Sequence, residues 1–337
     1  MFIALSGAAG QYLLFDVSPT NQALWMQSPA PVFFSSSSQH TYTLTDKAEI
    51  LLGSLVLNPD VNVEIDGSMY LGGTSSGQAS GGGVVVNYGD YTQWLMVQNT
   101  LKLWGGGYVD LNGGQLVCDT IERLPGSGFD AGPDSRVMVN SLIGFGGDLD
   151  FEGDFVVGTQ HGSSGFGSIP VGAGATLDVG DTLTVGGDVL GSLHVNSGGD
   201  VTSTRLDLAG WTGGDGRMTV TGGGSTATVS YRTVVGVMGP AWLHIEDGGR
   251  FETSELALGD WSGSSGEVTV RGAGSTLVCH ADAEVGATSA DGELNIVESG
   301  TADIDGALRI RSRGTLNLTQ GTLVADTLTL DSGSTFA

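Results

Sequence analysis

The sequence predicts an all-β protein built as a parallel β-helix, also called a β-solenoid. Three observations support this fold class: short stretches of alternating apolar and polar residues, abundant glycine, and a repeat every fifty residues. The 337 residues include 58 glycines and 8 prolines, and 39% of the chain is hydrophobic, enough to bury a core. Glycine together with β-branched residues favours many short strands joined by tight turns. No Gly-X-Y register runs through the chain, which excludes collagen.

The fifty-residue repeat is clearest in the second half of the chain. The segment LHVNSGGDVTSTRLDLAGW begins at Leu193, and the similar segment LHIEDGGRFETSELALGDW begins at Leu243. A period of this size is typical of solenoids and arrays. Each copy divides into two similar halves, which predicts coils of about 25 residues. We place the three clear copies at residues 167–216, 217–266 and 267–317.

The alternation within the strand WLHIEDGG predicts which side chains point inward. Leu243 and Ile245 share one face of the strand, whereas Trp242 and His244 share the other. We expect inward side chains of successive coils to stack at about 4.8 Å. A single coil cannot bury its inner face, so stacking must provide the core. The general preference of parallel crossovers predicts a right-handed coil.

Weaker forms of the same pattern extend the predicted solenoid over residues 46–337. Residues 1–45 are richer in aromatics and contain SPAPVFFSSSSQ, so we predict an N-terminal cap or an inter-subunit arm there. Residues 122–168 depart from the repeat and are predicted to form an irregular coil or loop. The last stretch, TLTLDSGSTFA, continues the strand pattern, and we expect a bare terminal strand open to pairing.

Charge and cysteine content narrow the range of partners. The formal net charge of −25 repels nucleic acid and anionic lipid, so neither is expected as a partner. No stretch reaches the length of a membrane-spanning helix, and we expect no membrane insertion. Cys118 and Cys279 stand in no metal-ligand spacing and are expected to pack as small apolar residues. No cofactor is expected.

The densest group of carboxylates lies in GGDLDFEGDF, residues 146–155. Alternation with apolar residues predicts that its four carboxylates, Asp148, Asp150, Glu152 and Asp154, project from one strand face. Such a row is a candidate Ca²⁺ site, because Ca²⁺ takes several carboxylate and carbonyl oxygens. It also offers the pair of carboxylates that a glycosidase needs. The simpler interpretation is a solvated acidic face.

Two pairs of residues recur at equivalent positions of successive copies. Trp211 and Trp261 each follow a short strand and open a Gly-Ser loop. Each ring either offers a flat platform for a sugar or fastens its loop onto the coil. His194 and His244 are expected to face outward two coils apart, about 10 Å, which is too far to share a metal. We interpret them as surface histidines.

The repeats resemble those of autotransporter passengers and of PEP-CTERM-associated repeat proteins. The similarity is carried by MTVTGGGST, VTVRGAGSTL, LHVNSGG, LHIEDGG and the recurring Val-Gly pairs. This resemblance implies a bacterial protein that is extracellular or at the cell surface, and it supplies no catalytic residues.

We therefore predict a non-enzymatic structural subunit that assembles head to tail with copies of itself, on the surface or as a filament. One alternative is an adhesin that binds surface glycans through Trp211 and Trp261. A second is a β-helix glycosidase that uses the acidic row.

Overall fold

The computed structural model describes residues 2–5, 11–15, 20–78, 81–86, 93–144, 149–160, 166–172 and 174–337. Over this range the regular structure consists of β-strands, stacked in parallel as a solenoid of about 12 turns whose equivalent positions lie about 24 residues apart. The predicted fold class is therefore confirmed. The first of two compact units contains the described residues through 144 together with 150–154, and the second contains 149, 155–160 and the described residues from 166 onward.

The first unit is built from two parallel sheets. One sheet runs from β1 through β3 to β5, continues through β6 and β7, which lie side by side along the same coil, and then follows the order β11-β13-β15. Shorter strands form a second ladder in the order β4-β5-β10-β12-β14. These strands are β1 (Phe2–Leu5), β2 (Gln11–Phe15), β3 (Thr20–Gln27), β4 (Val32–Ser36), β5 (His40–Leu57), β6 (Val61–Ile65), β7 (Ser68–Leu71), β8 (Gly73–Thr74), β9 (Gly77–Gln78), β10 (Gly82–Val86), β11 (Trp94–Leu103), β12 (Tyr108–Leu111), β13 (Gly114–Arg123), β14 (Gly128–Ala131) and β15 (Ser135–Ile143).

The strands that follow are β16 (Leu149–Phe151), β17 (Asp154–Val157), β18 (Phe166–Val171), β19 (Thr176–Val185), β20 (Leu190–Asn196), β21 (Asp200–Leu208), β22 (Asp215–Thr221), β23 (Thr226–Val235), β24 (Pro240–Glu246), β25 (Arg250–Leu258), β26 (Ser265–Arg271), β27 (Thr276–Cys279), β28 (Ala283–Val285), β29 (Asp291–Val297), β30 (Thr301–Ile310), β31 (Gly314–Thr319), β32 (Thr322–Leu330) and β33 (Thr335–Phe336). In the second unit each coil contributes one short strand to an eight-stranded sheet, ordered β18-β20-β22-β24-β26-β29-β31-β33. The rest of each coil belongs to the other sheet. It is formed by one longer strand or, in one coil, by the two successive strands β27 and β28.

The core of the second unit is a set of straight ladders of apolar side chains. Leu243 pairs with Met218 of the coil before and Val268 of the coil after, and all three are at most 1% exposed. Ile245 occupies the same position in the next ladder and is fully buried. The inward and outward faces predicted from the alternation are thus confirmed. Each side chain is covered above and below by its equivalents, so only the stack as a whole excludes water.

A column of glycines marks the place where each coil turns into the eight-stranded sheet. Gly216, Gly266 and Gly292 sit in this column, and a Cβ on any of them would collide with backbone atoms of the adjacent corners. At the corner itself, Gly236 and Gly286 adopt left-handed φ angles of 83° and 75°. Close approach of two backbones and left-handed torsions both require glycine. The Val-Gly pairs of the repeat therefore encode the corner.

Two segments that depart from the sequence repeat still contribute coils. Within residues 1–45, β3 and β4 pair in parallel with β5, so this part of the chain is built as coils of the same stack. Its role as a cap or an arm stays a prediction. Within residues 122–168, β14 and β15 continue the parallel ladders without interruption. The repeat pattern is lost there although the backbone geometry continues, because many apolar sequences can fill the same inward positions.

Candidate functional site

The outward surface of the eight-stranded sheet carries two parallel columns of polar and aromatic side chains. We call this surface the polar face. The strand register fixes which residues are neighbours, because equivalent positions of adjacent coils are paired one to one. The first column is Ser192, Arg217, Trp242, Glu267, Glu293 and Thr315, and the second is His194, Thr219, His244, Thr269, Asn295 and Asn317.

Trp242 separates two open recesses on the polar face. The first, of about 550 Å³, is lined by Ser192, His194, Arg217, Met218, Thr219, Trp242 and His244. The guanidinium of Arg217 lies 5.1 Å from the centre of the Trp242 ring, within cation–π range. The same guanidinium donates to Asp215 at 3.1 Å, so its charge is neutralised locally. The recess therefore presents a half-buried indole beside hydroxyl and imidazole groups, with little net charge.

The second recess, of about 330 Å³, is more acidic. Its lining includes the carboxylates Glu267, Glu293 and Asp291, together with Gly266 and Gly292 of the glycine column. Arg313 pairs with Asp291, with Nε–Oδ1 and Nη2–Oδ2 distances of 2.8 and 2.9 Å. Both of these side chains are at least half exposed, so their pairing contributes little to stability.

The polar side chains of the later coils bind one another. Asn317 donates to Asn295 at 2.7 Å and to Glu293 at 2.9 Å. Asn295 donates in turn to Glu267 at 3.3 Å. Thr269 donates to the same Glu267 oxygen at 3.0 Å. This part of the polar face is an internally bonded network, so its donors and acceptors are largely used within the protein.

The two repeated histidines lie where the sequence predicts. His194 and His244 both pair with Thr219, one on each side, so they are outward residues two coils apart. Within the described parts of the chain, no group of three or more His, Cys, Asp or Glu residues is arranged to hold a metal ion. Both histidines add imidazole groups to the second column of the polar face.

The structure does not keep the acidic row on one face. Asp150 and Glu152 are exposed. Asp154 is only 8% exposed and accepts from Arg136, with 3.0 Å to Nε and 2.7 Å to Nη2. Asp148 lies outside the described residues. A bend at residues 152–153 separates β16 from β17, so the alternation does not run through the row. The candidate Ca²⁺ ligands and glycosidase carboxylates are therefore split between an exposed pair and a neutralised residue.

The two repeated tryptophans occupy different environments. Trp211 is half-buried, and its ring lies against Gly187. The backbone amide of Trp211 donates to the backbone carbonyl of Gly187 at 3.1 Å. Trp261 is 58% exposed, although its carbonyl accepts from both the amide and the hydroxyl of Ser264. Loop packing thus describes Trp211 well, whereas Trp261 leaves most of its ring in solvent. Trp242 lies on the outward face, as the strand alternation predicts, and the sequence carries no further signal of a functional role for it.

Two clusters of titratable groups lie away from the polar face. Burial raises the pKa of Asp207, even though Arg205 binds it at 2.8 Å. A hydrogen bond to Asp305 at 3.1 Å raises the pKa of His280, and Glu252 lies 3.5 Å from its other ring nitrogen. The Arg205–Asp207 pair lies within β21, whereas His280 joins Glu252 and Asp305 of the coils on either side. Neither cluster borders a recess described above. They are structural ties rather than candidate acid–base groups.

Comparisons with known proteins add little. No protein-family model matches the chain, and no curated protein sequence matches it. A crystal structure of a TibC-catalysed hyper-glycosylated fragment of TibA is similar over 98% of this chain and 100% of that fragment, at 16% sequence identity and a TM-score of 0.33. That score carries no argument about function, which has to rest on the surfaces described above. Over the described residues, no helix has the length and hydropathy needed to cross a membrane.

Proposed function

We propose that this chain is a non-enzymatic structural protein of the bacterial cell surface, and that its β-solenoid serves as a scaffold assembling head to tail. The observation that supports a scaffold is the uniform stacking of the coils. Leu243, Met218 and Val268 are fully covered by one another, and the same arrangement recurs along the ladder to Leu294 and Leu316. A stack of this kind gains stability from every coil added.

Polar contacts between coils reinforce the scaffold. Lys102 binds Glu122 at 2.7 Å in the first unit, and Arg309 binds Asp331 at 3.0 Å in the second. Each pair joins neighbouring coils, and both are partly exposed, so each contributes about 0–1 kcal/mol. Other basic side chains pair within one strand, as Arg250 does with Glu252. The large excess of carboxylates leaves a strongly acidic exterior that favours solubility.

Head-to-tail contact is supported by the side chains of β32. Leu328 and Leu330 continue the inward ladders of Leu308 and Ile310, yet they are 45% and 48% exposed. Another parallel coil would cover these side chains and complete the ladder hydrogen bonds. In the proposed head-to-tail assembly a second copy of the chain supplies such a coil, because its strands have the matching register and coil length.

Sedimentation velocity over a range of concentrations tests the assembly. We expect the wild-type chain to form oligomers, and Leu328→Asp with Leu330→Asp to remain monomeric because two charges would be buried at the contact. Thr329→Asp is the matched control, since Thr329 lies between them in the outward position opposite Arg309. Monodisperse wild-type monomers at the highest attainable concentration would contradict self-assembly. Protease shaving of intact cells tests the surface location.

A carbohydrate-binding adhesin is a second candidate, and the exposure of Trp261 favours it. In this version Trp211 and Trp261 bind surface glycans from the loops. A glycan array probed with wild type and with a double variant, Trp211→Ala and Trp261→Ala, tests the role of these loops. Identical binding patterns for the two proteins would eliminate it.

A further inference from the structure

The polar face differs in chemistry from one end to the other. In the later coils the asparagine, glutamate and threonine side chains are bonded to each other. In the earlier coils the polar side chains that line the 550 Å³ recess behave differently. Across the described residues, no hydrogen bond within the protein engages the side chains of Ser192, His194, Thr219, Trp242 or His244.

The unbonded groups are concentrated in one place. They come from β20, β22 and β24, three adjacent strands spanning about 10 Å along the stack at strand spacing. They combine two imidazoles, two hydroxyls and one indole N–H, which together can both donate and accept hydrogen bonds. The recess lies in the size range of small-ligand sites, about 300–1,000 Å³.

The ring of Trp242 supplies the apolar part of the recess. Arg217 lies over the ring, and the ion pair with Asp215 holds that guanidinium in turn. The indole is thereby positioned before any ligand arrives, which lowers the entropic cost of binding. An aromatic surface bordered by hydroxyl and imidazole groups matches a sugar, which has apolar C–H faces and a rim of hydroxyls.

The charge around the recess favours neutral sugars over acidic ones. Asp215 neutralises Arg217, the adjacent recess is bordered by Glu267 and Glu293, and the chain carries a net charge of −25. This field disfavours sulfated and uronic-acid polymers.

We infer that the recess between the two columns at β20, β22 and β24 is a binding site for a neutral oligosaccharide. Trp242 packs against the sugar ring, and His194, Thr219 and His244 bind its hydroxyls. This inference does not depend on self-assembly, because the site lies on the outward surface of the coils rather than at their end.

Isothermal titration of the full chain with neutral hexasaccharides tests the inference. The probes are cellohexaose, maltohexaose and mannohexaose, with a heparin hexasaccharide as the anionic arm. We expect at least one neutral probe to bind. Trp242→Ala should weaken that binding at least about tenfold, because truncating an aromatic anchor usually costs more than 1 kcal/mol. His244→Ala should weaken it by about threefold to tenfold, as expected for one lost hydrogen bond.

Tyr231→Ala is the matched control, because it removes an exposed aromatic ring from β23, which belongs to the other sheet of the same unit. Its affinity should stay within about twofold of wild type, well under 1 kcal/mol. Trp242→Phe retains an apolar ring and should keep part of the affinity, which separates loss of the platform from misfolding; circular dichroism checks the fold. No binding by any neutral probe, stronger binding of the heparin probe, or equal loss in Tyr231→Ala would each overturn the inference. Its failure would leave the sedimentation test of self-assembly untouched.

Discussion

The close packing at the corners makes Gly266 a sensitive position. A Cβ at residue 266 would overlap the carbonyl oxygen of Val235 and would lie 2.8 Å from the Gly259 amide nitrogen. Non-bonded heavy atoms prefer separations of about 3.5–4.0 Å, so the backbones would have to part by about 0.7 Å or more. No side-chain rotation can relieve the collision, because the facing atoms belong to the backbone. We expect Gly266→Ala to destabilise the neighbouring coils by about 3 kcal/mol, the upper part of the overpacking range.

Native-state hydrogen exchange measures this effect locally, which suits a repeat protein that need not unfold in two states. A loss of about 3 kcal/mol corresponds to a decrease in amide protection of roughly a hundredfold in β25 and β26. Gly223→Ala is the matched control, since it has no atom within 4 Å of the added Cβ and its φ lies outside the left-handed range. We expect its protection to be unchanged or slightly higher.

Equal protection in the two variants would refute the argument. Ala241 occupies the same column one coil earlier, so a methyl group fits where the preceding corner leaves room. The prediction therefore concerns the geometry at residue 266 and not glycine in general. A small effect of Gly266→Ala would mean that the corner shifts by the required distance at little cost.

Three further predictions follow from buried or bridging groups. Among the described residues the buried Ser203 hydroxyl has no hydrogen-bond partner, so Ser203→Ala should stabilise the chain by about 1 kcal/mol in urea unfolding. Thr253→Val removes a hydroxyl that donates to the backbone carbonyl of Glu255 and should destabilise the chain by a similar amount. The pKa of His280 is raised in the folded chain, so its bridge to Asp305 stabilises the fold fully below about pH 6.5. This contribution is lost as the pH rises through the folded-state pKa. His280→Gln should remove that pH dependence from the unfolding midpoint. Burial raises the pKa of Cys279 to about 11 and also raises the pKa of Cys118. Ellman's reagent should therefore label neither thiol in the native chain and both thiols after denaturation. Rapid labelling of the native chain would contradict this expectation and would show that the coils open.

The fold could be predicted because its information is local and repeated. Strand alternation placed Leu243 and Ile245 inward, and the structure confirms both positions. Parallel stacking then follows, since one coil has nothing else against which to bury its inner face. Residues 122–168 show the limit of this reasoning. The parallel ladders continue over residues 128–143 after the sequence similarity has disappeared.

The candidate site was harder to predict, because it depends on contacts between coils. The position of Trp242 was predicted, but its contact with Arg217 requires the exact register of β22 on β24. The prediction that the acidic row projects from one strand face was wrong for a related reason. Alternation places side chains on one face only while a strand is straight, and Gly153 turns the chain where it packs against the Ser135 carbonyl. Asp154 is thereby brought to Arg136.

The register of the coils also bears on how the gene can change. Residues 217–266 begin and end at equivalent points, since Arg217 and Glu267 occupy the same column two coils apart. Unequal crossing-over that duplicates or deletes one such block would join two edges that already match. Alleles of different length would then encode proteins with the same local packing, and natural variation in this locus should fall in steps of whole blocks.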